Sequence, residues 1–267
     1  MNRAVGPHRA EGTPGPGRAR VEFLDVRALT FAERPTPVLS PWEEGEVDRL
    51  WEETTARNPA TFDGPLVACL GVDRPGAGEL VVRWAPMPYR CRALRRLRPP
   101  AQVPGSVFVT VLVPTEDGLL VGRGSPATAA PGRWGLPGGA VEPPPAGAPL
   151  DTAELHRHAA RELVEETGIR IAEEELRLWA LTRSDRFGSL GFHFLCPRTS
   201  SALVRRLHTD LSAVQAGHDA GPELDEIAFV ASAAAAGRLG PAADYLPQVL
   251  DRYVADRPEG PAVPARR

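Results

Sequence analysis

Two neighbouring stretches carry most of the information in this sequence: RELVEETGI at residues 161–169, and LPGG at residues 136–139 before it. On a helix, Glu162, Glu165 and Glu166 stand at positions i, i+3 and i+4, so three carboxylates share one face. Such a cluster repels itself unless a cation joins it. Because Mg2+ prefers carboxylate oxygens together with substrate phosphates, the pattern predicts a divalent-metal site for phosphoryl chemistry. A solvated acidic face is the alternative interpretation.

The ends of this helix are also marked in the sequence. Asp151 can cap the free backbone amides of the first turn, and Glu154 three residues later would complete a capping box. Gly168 suits a helix end, where a left-handed backbone conformation is common. We therefore expect a helix from about residue 151 to residue 167.

The two stretches together resemble the Nudix box, G-x5-E-x7-R-E-U-x-E-E-x-G-U, in which U is a bulky aliphatic residue. Residues 161–169 match every specified position of its second part. The resemblance implies an α+β fold, the Nudix α/β/α sandwich with a mixed sheet. It also implies that water attacks the diphosphate of a nucleoside diphosphate derivative with the help of Mg2+ or Mn2+.

The resemblance also implies roles for individual residues. Glu165 and Glu166 are the expected metal ligands, together with the backbone carbonyl of Gly138. Glu162 either completes the metal shell or acts as the general base. Arg161 is expected to hold the glutamates by bidentate pairing.

The first part of the box is interrupted. Arg161 lies 22 positions after Gly139, whereas the family pattern places it fourteen positions after that glycine. Counting back from Arg161 puts the first glutamate of the pattern on Ala153, with Glu154 one position away. That acidic role is therefore displaced or missing. In several Nudix enzymes a downstream loop supplies the base, so the resemblance also makes Glu223 and Glu226 candidate bases.

A less specific resemblance covers the region outside the box. Residues 49–64, Tyr89 and residues 223–230 resemble the Nudix hydrolases that cleave UDP-glucose and UDP-galactose. The resemblance makes Phe62, Asp63 and Tyr89 candidate substrate contacts, although a structural role for each is the alternative. Two other functions stay open: a Nudix hydrolase of another nucleotide, such as ADP-ribose or an oxidised nucleotide, and a non-catalytic Nudix-like nucleotide-binding regulator.

The chain divides at the proline-rich residues 98–104. We expect a smaller N-terminal α+β domain at residues 21–100 and the Nudix hydrolase domain at residues 105–257. The glycine-, proline- and arginine-rich ends, residues 1–20 and 258–267, are predicted to be flexible tails.

Two local patterns predict structure outside the box. Ser40, Pro41 and Glu43 mark a helix start with a capping box, and the helix would bury Trp42, Val47, Leu50 and Trp51. The apolar residues 106–114 and 119–121 flank an Asp-Gly turn, which predicts a β-hairpin.

Composition excludes several classes of protein. The 31 basic and 34 acidic residues give a net charge of -3, which does not favour a nucleic-acid or anionic-membrane binder. No segment approaches the roughly 18 apolar residues of a membrane span. We expect a cytoplasmic protein whose partner is a small-molecule nucleoside diphosphate derivative, with the oligomeric state open.

Overall fold

The computed structural model describes residues 20–216 and 221–256, so both predicted tails lie outside the described residues except Arg20. The strands are β1 Val21–Leu24, β2 Ala28–Glu33, β3 Pro65–Asp73, β4 Glu79–Pro88, β5 Gly105–Leu112, β6 Leu119–Gly124, β7 Trp134–Gly135, β8 Arg177–Ser184, β9 Leu190–Leu195 and β10 Leu224–Val230. The α-helices are α1 Pro41–Arg57, α2 Thr152–Thr167, α3 Ser201–Gln215, α4 Ala233–Gly237 and α5 Leu246–Ala255. In residues 20–216 and 221–256, no helix combines the length and apolarity that a membrane crossing requires.

The strands form two sheets, and helices pack on both faces of the larger, mixed sheet. Seven strands follow the order β1-β8-β9-β5-β3-β4-β2, and β10-β6-β7 form a second, three-stranded sheet. Strand β5 runs parallel to β9 and β2 runs parallel to β4, while the other pairs are antiparallel. Val109 of β5 packs in one core with Leu163 of α2, and Leu112 packs in another with Leu250 of α5. The predicted α+β fold, an α/β/α sandwich with a mixed sheet, is confirmed.

The N-terminal strands continue the sheet of the Nudix region. Strand β3 hydrogen-bonds β5 through the pairs Ala68–Ser106 and Cys69–Gly105. Val67 and Val82 share one core cluster with the valines of β5. The division of the chain near residues 98–104 stays a prediction, and across that point the two parts share a sheet and a hydrophobic core.

Helix α1 starts as the sequence predicts. The Ser40 hydroxyl accepts from the Glu43 amide, and the Glu43 carboxylate accepts from the Ser40 amide at 2.9 Å. Val47 and Leu50 are buried, whereas Trp42 is 63% exposed, so the predicted burial of Trp42 is wrong. Five residues at about 100° each turn Trp42 away from the face that carries Val47.

The predicted hairpin around the Asp-Gly turn forms only beside the turn. The Thr115 amide donates to the Gly118 carbonyl at 2.8 Å, the Leu120 amide donates to the Val113 carbonyl at 3.1 Å, and Pro114 and Leu119 form an antiparallel bridge. Strand β5 itself pairs with β9 along one edge. Its other edge is shared by β3, at the start of β5, and by residues 137–141, so β6 pairs with β10 and β7.

Candidate active site

Helix α2 carries the candidate glutamates and has the predicted ends. The Asp151 carboxylate accepts from the Glu154 amide at 2.8 Å, and Gly168 adopts φ +75° at the C-terminus. The second hydrogen bond of the capping box would run from the Asp151 amide to the Glu154 carboxylate. That carboxylate pairs with Arg157 instead. Glu154 therefore serves the start of the helix rather than the acidic site.

Three carboxylates from two separate segments converge. Glu162 and Glu166 of α2 and Glu223, just before β10, each offer an oxygen, and these oxygens lie within 4.8 Å of one another. We call these three residues the glutamate cluster. Glu226, the other downstream candidate, pairs with Arg123 at 2.7 Å and lies outside the cluster.

The Gly-Gly pair lets the backbone approach these carboxylates closely. The Gly138 amide donates to Oε2 of Glu166 at 2.7 Å. A Cβ atom on Gly139 would lie 2.7 Å from both carboxylate oxygens of Glu162. The carbonyls of Pro137 and Gly139 accept hydrogen bonds from β5. The Gly138 carbonyl between them accepts none of the backbone bonds found in the described residues, which leaves it available as the predicted ligand.

The electrostatics of the cluster favour a cation. Burial and the neighbouring Glu162 raise the pKa of Glu166 well above its usual range, although the Gly138 amide partly offsets this. Burial and the charge of Glu223 raise the pKa of Glu162 to about 7. Partial burial of its carboxyl group and the charge of Glu165 raise the pKa of Glu223. The raised pKa values mean that the three carboxylates are unfavourable when all of them are ionised. A hard divalent cation such as Mg2+ or Mn2+ would relieve this repulsion, because it prefers carboxylate oxygens as ligands.

Glu165 and Arg161 stand at the rim of the cluster. Glu165 is more than half exposed and its oxygen lies 4.0 Å from Nε of Arg161. Arg161 also faces Glu142, at 3.6 Å between Nη2 and Oε2. The structure thus pairs Arg161 with Glu142 and Glu165 instead of Glu162 and Glu166, and metal ligation by Glu165 stays a prediction.

Glu142 is a residue whose part in the site the sequence analysis missed. Besides facing Arg161, it donates its backbone amide to Nε2 of the buried His158 at 3.2 Å. Burial and the charge of Arg161 lower the pKa of His158. Glu142 lies three positions after Gly139, before the insertion in the box. Its closeness to the glycine pair is the sequence feature that could have marked it as a site residue.

The three predicted substrate contacts lie in the N-terminal region. Phe62 is 80% exposed, and Asp63 accepts from the amide of Arg90 at 2.8 Å and from its guanidinium at 3.0 Å. The Tyr89 ring meets Trp51 edge to face, with centroids 6.2 Å apart. Asp63 and Tyr89 thus have structural partners, and substrate contact by all three residues stays a prediction.

Comparison with known families identifies the fold. The NUDIX domain model matches residues 104–253, more than half of the 267-residue chain. The chain belongs to the Nudix family. The Nudix resemblance of residues 136–139 and 161–169 is therefore confirmed, whereas the comparisons do not show the UDP-sugar subfamily.

Solved Nudix structures show limited similarity. A bifunctional NMN adenylyltransferase/ADP ribose pyrophosphatase from Francisella tularensis, complexed with AMP and a Mn ion, is 17% identical with a TM-score of 0.39. That match covers 57% of this chain and 42% of the Francisella chain. The MutT protein of Methanosarcina mazei Go1 is 20% identical with a TM-score of 0.37, covering 55% of this chain and 91% of that chain. Similarity this low carries no activity from one protein to another. No curated protein matches significantly.

Proposed function

We propose that this Nudix protein is a Mg2+- or Mn2+-dependent hydrolase of the diphosphate in a nucleoside diphosphate derivative. The proposal rests on one observation: Glu162, Glu166 and Glu223 offer oxygens within 4.8 Å of one another. These carboxylates stand against the glycine pair at residues 138–139. A pure nucleotide binder would gain nothing from a cluster of carboxylates that repel one another.

Each residue at the site has a proposed role in binding the cation or in the reaction. Glu166 is oriented by the Gly138 amide, and Glu166, Glu162 and Glu223 would hold the cation through their carboxylate oxygens. The bound ion would neutralise the diphosphate, polarise the attacked phosphorus and lower the pKa of its water. A carboxylate of the glutamate cluster would accept the proton of the attacking water. Arg161 holds Glu165 at the rim, where a fourth carboxylate adds negative charge.

The proposed substrate is a UDP-sugar, and the products are UMP and a sugar phosphate. This part of the proposal is supported by the resemblance of residues 49–64, Tyr89 and residues 223–230. The exposed ring of Phe62 offers an apolar face that a base or sugar can cover. A small-molecule partner and a cytoplasmic location belong to the same proposal.

The test is 31P NMR of the purified protein with UDP-glucose, with and without Mg2+. Resonances of UMP and glucose-1-phosphate that appear only with Mg2+ support both the reaction and the substrate. Turnover of ADP-ribose but not of UDP-glucose would contradict the proposed UDP-sugar substrate, while the proposed diphosphate hydrolysis would still hold. Metal-dependent binding of nucleotides with no turnover across a nucleoside-diphosphate panel would contradict the hydrolase and favour a regulatory module.

A further inference from the structure

The N-terminal helix reaches the loop beside the glutamate cluster. We propose that Asn58, at the C-terminus of α1, is a positioning residue for Glu223, so that the N-terminal region sets the geometry of the Nudix metal site. The inference rests on the proposed function only in taking Glu223 as part of that site. The first link is the side-chain amide of Asn58, which donates to the carbonyls of Pro126 and Thr128 at 3.1 and 3.4 Å.

The side chain of Asn58 is itself fixed. Its Oδ1 accepts from the Ala60 amide at 3.2 Å, and its backbone amide caps α1 by donating to the Thr54 carbonyl at 2.9 Å. The Oδ1 atom of Asn58 therefore fixes the turn that follows α1. The Nδ2 atom binds a loop 68 residues further along the chain.

Residues 125–130, which we call the 125–130 loop, fold back tightly on themselves. The Thr128 amide and hydroxyl both donate to the Ser125 carbonyl, at 3.1 and 2.9 Å. A Cβ atom on Gly124 would lie 2.7 Å from the Ala130 carbonyl, so the loop also packs against the end of β6. Such a compact loop transmits a displacement of Pro126 or Thr128 to Ser125.

Ser125 connects the loop to the cluster. Its amide donates to the Glu223 carbonyl at 2.8 Å. Ser125 is only 4% exposed, and its hydroxyl has no hydrogen-bond partner in the part of the chain that the structure describes. The backbone amide is thus the polar link from this residue to Glu223.

The neighbour of Glu223 at this end of β10 is held separately. The next residue, Leu224, pairs with Gly124, and its carbonyl lies 3.0 Å from Nε2 of His208. The side chain of Glu223 faces the other carboxylates from the segment that Ser125 holds. A shift of the 125–130 loop therefore moves this carboxylate relative to Glu162 and Glu166.

The test compares Asn58→Asp with Arg57→Ala. Aspartate keeps the acceptor for the Ala60 amide but cannot donate to Pro126 and Thr128. Arg57 is the matched control, because it lies on the same helix end, is mostly exposed and faces Glu53 at 3.8 Å. Asn58→Ala serves as a second variant that adds no charge.

The first readout needs neither metal nor substrate. Hydrogen exchange of the peptide that contains the Ser125 amide is expected to be about 5-fold faster in both Asn58 variants and unchanged in Arg57→Ala. The second readout is Mn2+ titration, in which Asn58→Asp is expected to weaken binding by about 3- to 10-fold. In a Glu223→Gln background the same substitution should have no further effect on Mn2+ affinity.

Each outcome bears on a different claim. Unchanged exchange, or an equal loss of Mn2+ affinity in both backgrounds, would overturn the positioning role of Asn58. Wild-type protein that binds no Mn2+ would also overturn it, because Glu223 would then have no metal site to complete. If exchange and Mn2+ affinity respond as expected but no nucleoside diphosphate is hydrolysed, the proposed function fails and the positioning role stands.

Discussion

The Gly138 amide donates a 2.7 Å hydrogen bond to Oε2 of Glu166, although the two residues are 28 positions apart. This contact joins the glycine loop to helix α2 at the most buried carboxylate of the glutamate cluster. It supplies one donor to a carboxylate whose pKa is raised by burial and by Glu162. The loop and the helix of the Nudix box are thus held together at the point where the cation is proposed to bind.

Replacing Glu166 with glutamine removes the negative charge of the side chain and keeps its size and shape. The amide oxygen of glutamine can still accept from Gly138, and the repulsion from Glu162 disappears. We expect thermal stability in EDTA to be unchanged or slightly higher, and Mg2+-dependent turnover to fall to background. Thermal unfolding with and without Mg2+, combined with 31P NMR, checks both. Wild-type activity in this variant would remove the metal-site assignment.

Gly139→Ala tests the close approach to Glu162. The added Cβ would lie 2.7 Å from the carboxylate, which is the flexible end of the side chain, so Glu162 can move aside while the fold remains. We expect turnover to fall by about 10- to 100-fold, because a shift of about 1 Å in a reacting group has effects of this size.

Gly45→Ala in helix α1 is the control for that substitution. No atom lies within 4 Å of a Cβ placed there, and alanine favours a helix interior by about 0.8–1.0 kcal/mol over glycine. We expect full activity and slightly higher stability. Equal turnover of the two alanine variants would show that Glu162 does not need its present position.

The contribution of Glu162 to stability without metal should fall as pH rises. The folded protein raises the pKa of Glu162 from 4.5 to about 7, so it binds this proton more tightly than the unfolded chain does. The stabilisation is present below pH 4.5 and is lost as pH rises through about 7, and Glu166 acts in the same direction. Urea unfolding in EDTA between pH 5 and 8 measures the slope. The slope should flatten in Glu162→Gln, and an unchanged slope in that variant would contradict the assignment.

His193 should produce the opposite trend. It is fully buried between the hydroxyls of Thr110 and Thr182, at 2.7 and 2.8 Å, and burial lowers its pKa from 6.5 to about 3. Its contribution is complete above pH 6.5 and is lost by up to about 1.4 kcal/mol per pH unit below it. The stability difference between wild type and His193→Gln should therefore shrink from pH 7 to pH 5. A constant difference would mean that His193 has the same pKa in the folded protein as in the unfolded chain.

Local features of the fold follow from the sequence. The capping box at Ser40 and Glu43 and the ends of α2 depend on residues only a few positions apart, and the structure confirms them apart from the second half of the Asp151 cap. The shared face of Glu162 and Glu166 also follows from helical spacing alone. These features need no knowledge of distant partners.

Features that depend on distant partners were harder to predict. Strand β2 was missed, because its parallel pairing with β4 is set by the whole sheet. The hairpin after β5 does not extend past the Pro114–Leu119 bridge, because β9 occupies one edge of that strand and residues 137–141 occupy most of the other. Glu223 could be named as a candidate base, but its place beside α2 depends on the pairing of β10 with β6. Local spacing cannot reveal such a contact.

The central claim is that Glu162, Glu166 and Glu223 form one divalent-metal site. Calorimetric titration with Mn2+ tests it most directly, with Glu223→Gln compared against Glu226→Gln. Glu226 is the matched control, since it lies three residues away and pairs with Arg123 outside the cluster. The account predicts that Mn2+ binding is at least about 10-fold weaker in Glu223→Gln and unchanged in Glu226→Gln. Equal affinities for the two variants would contradict it.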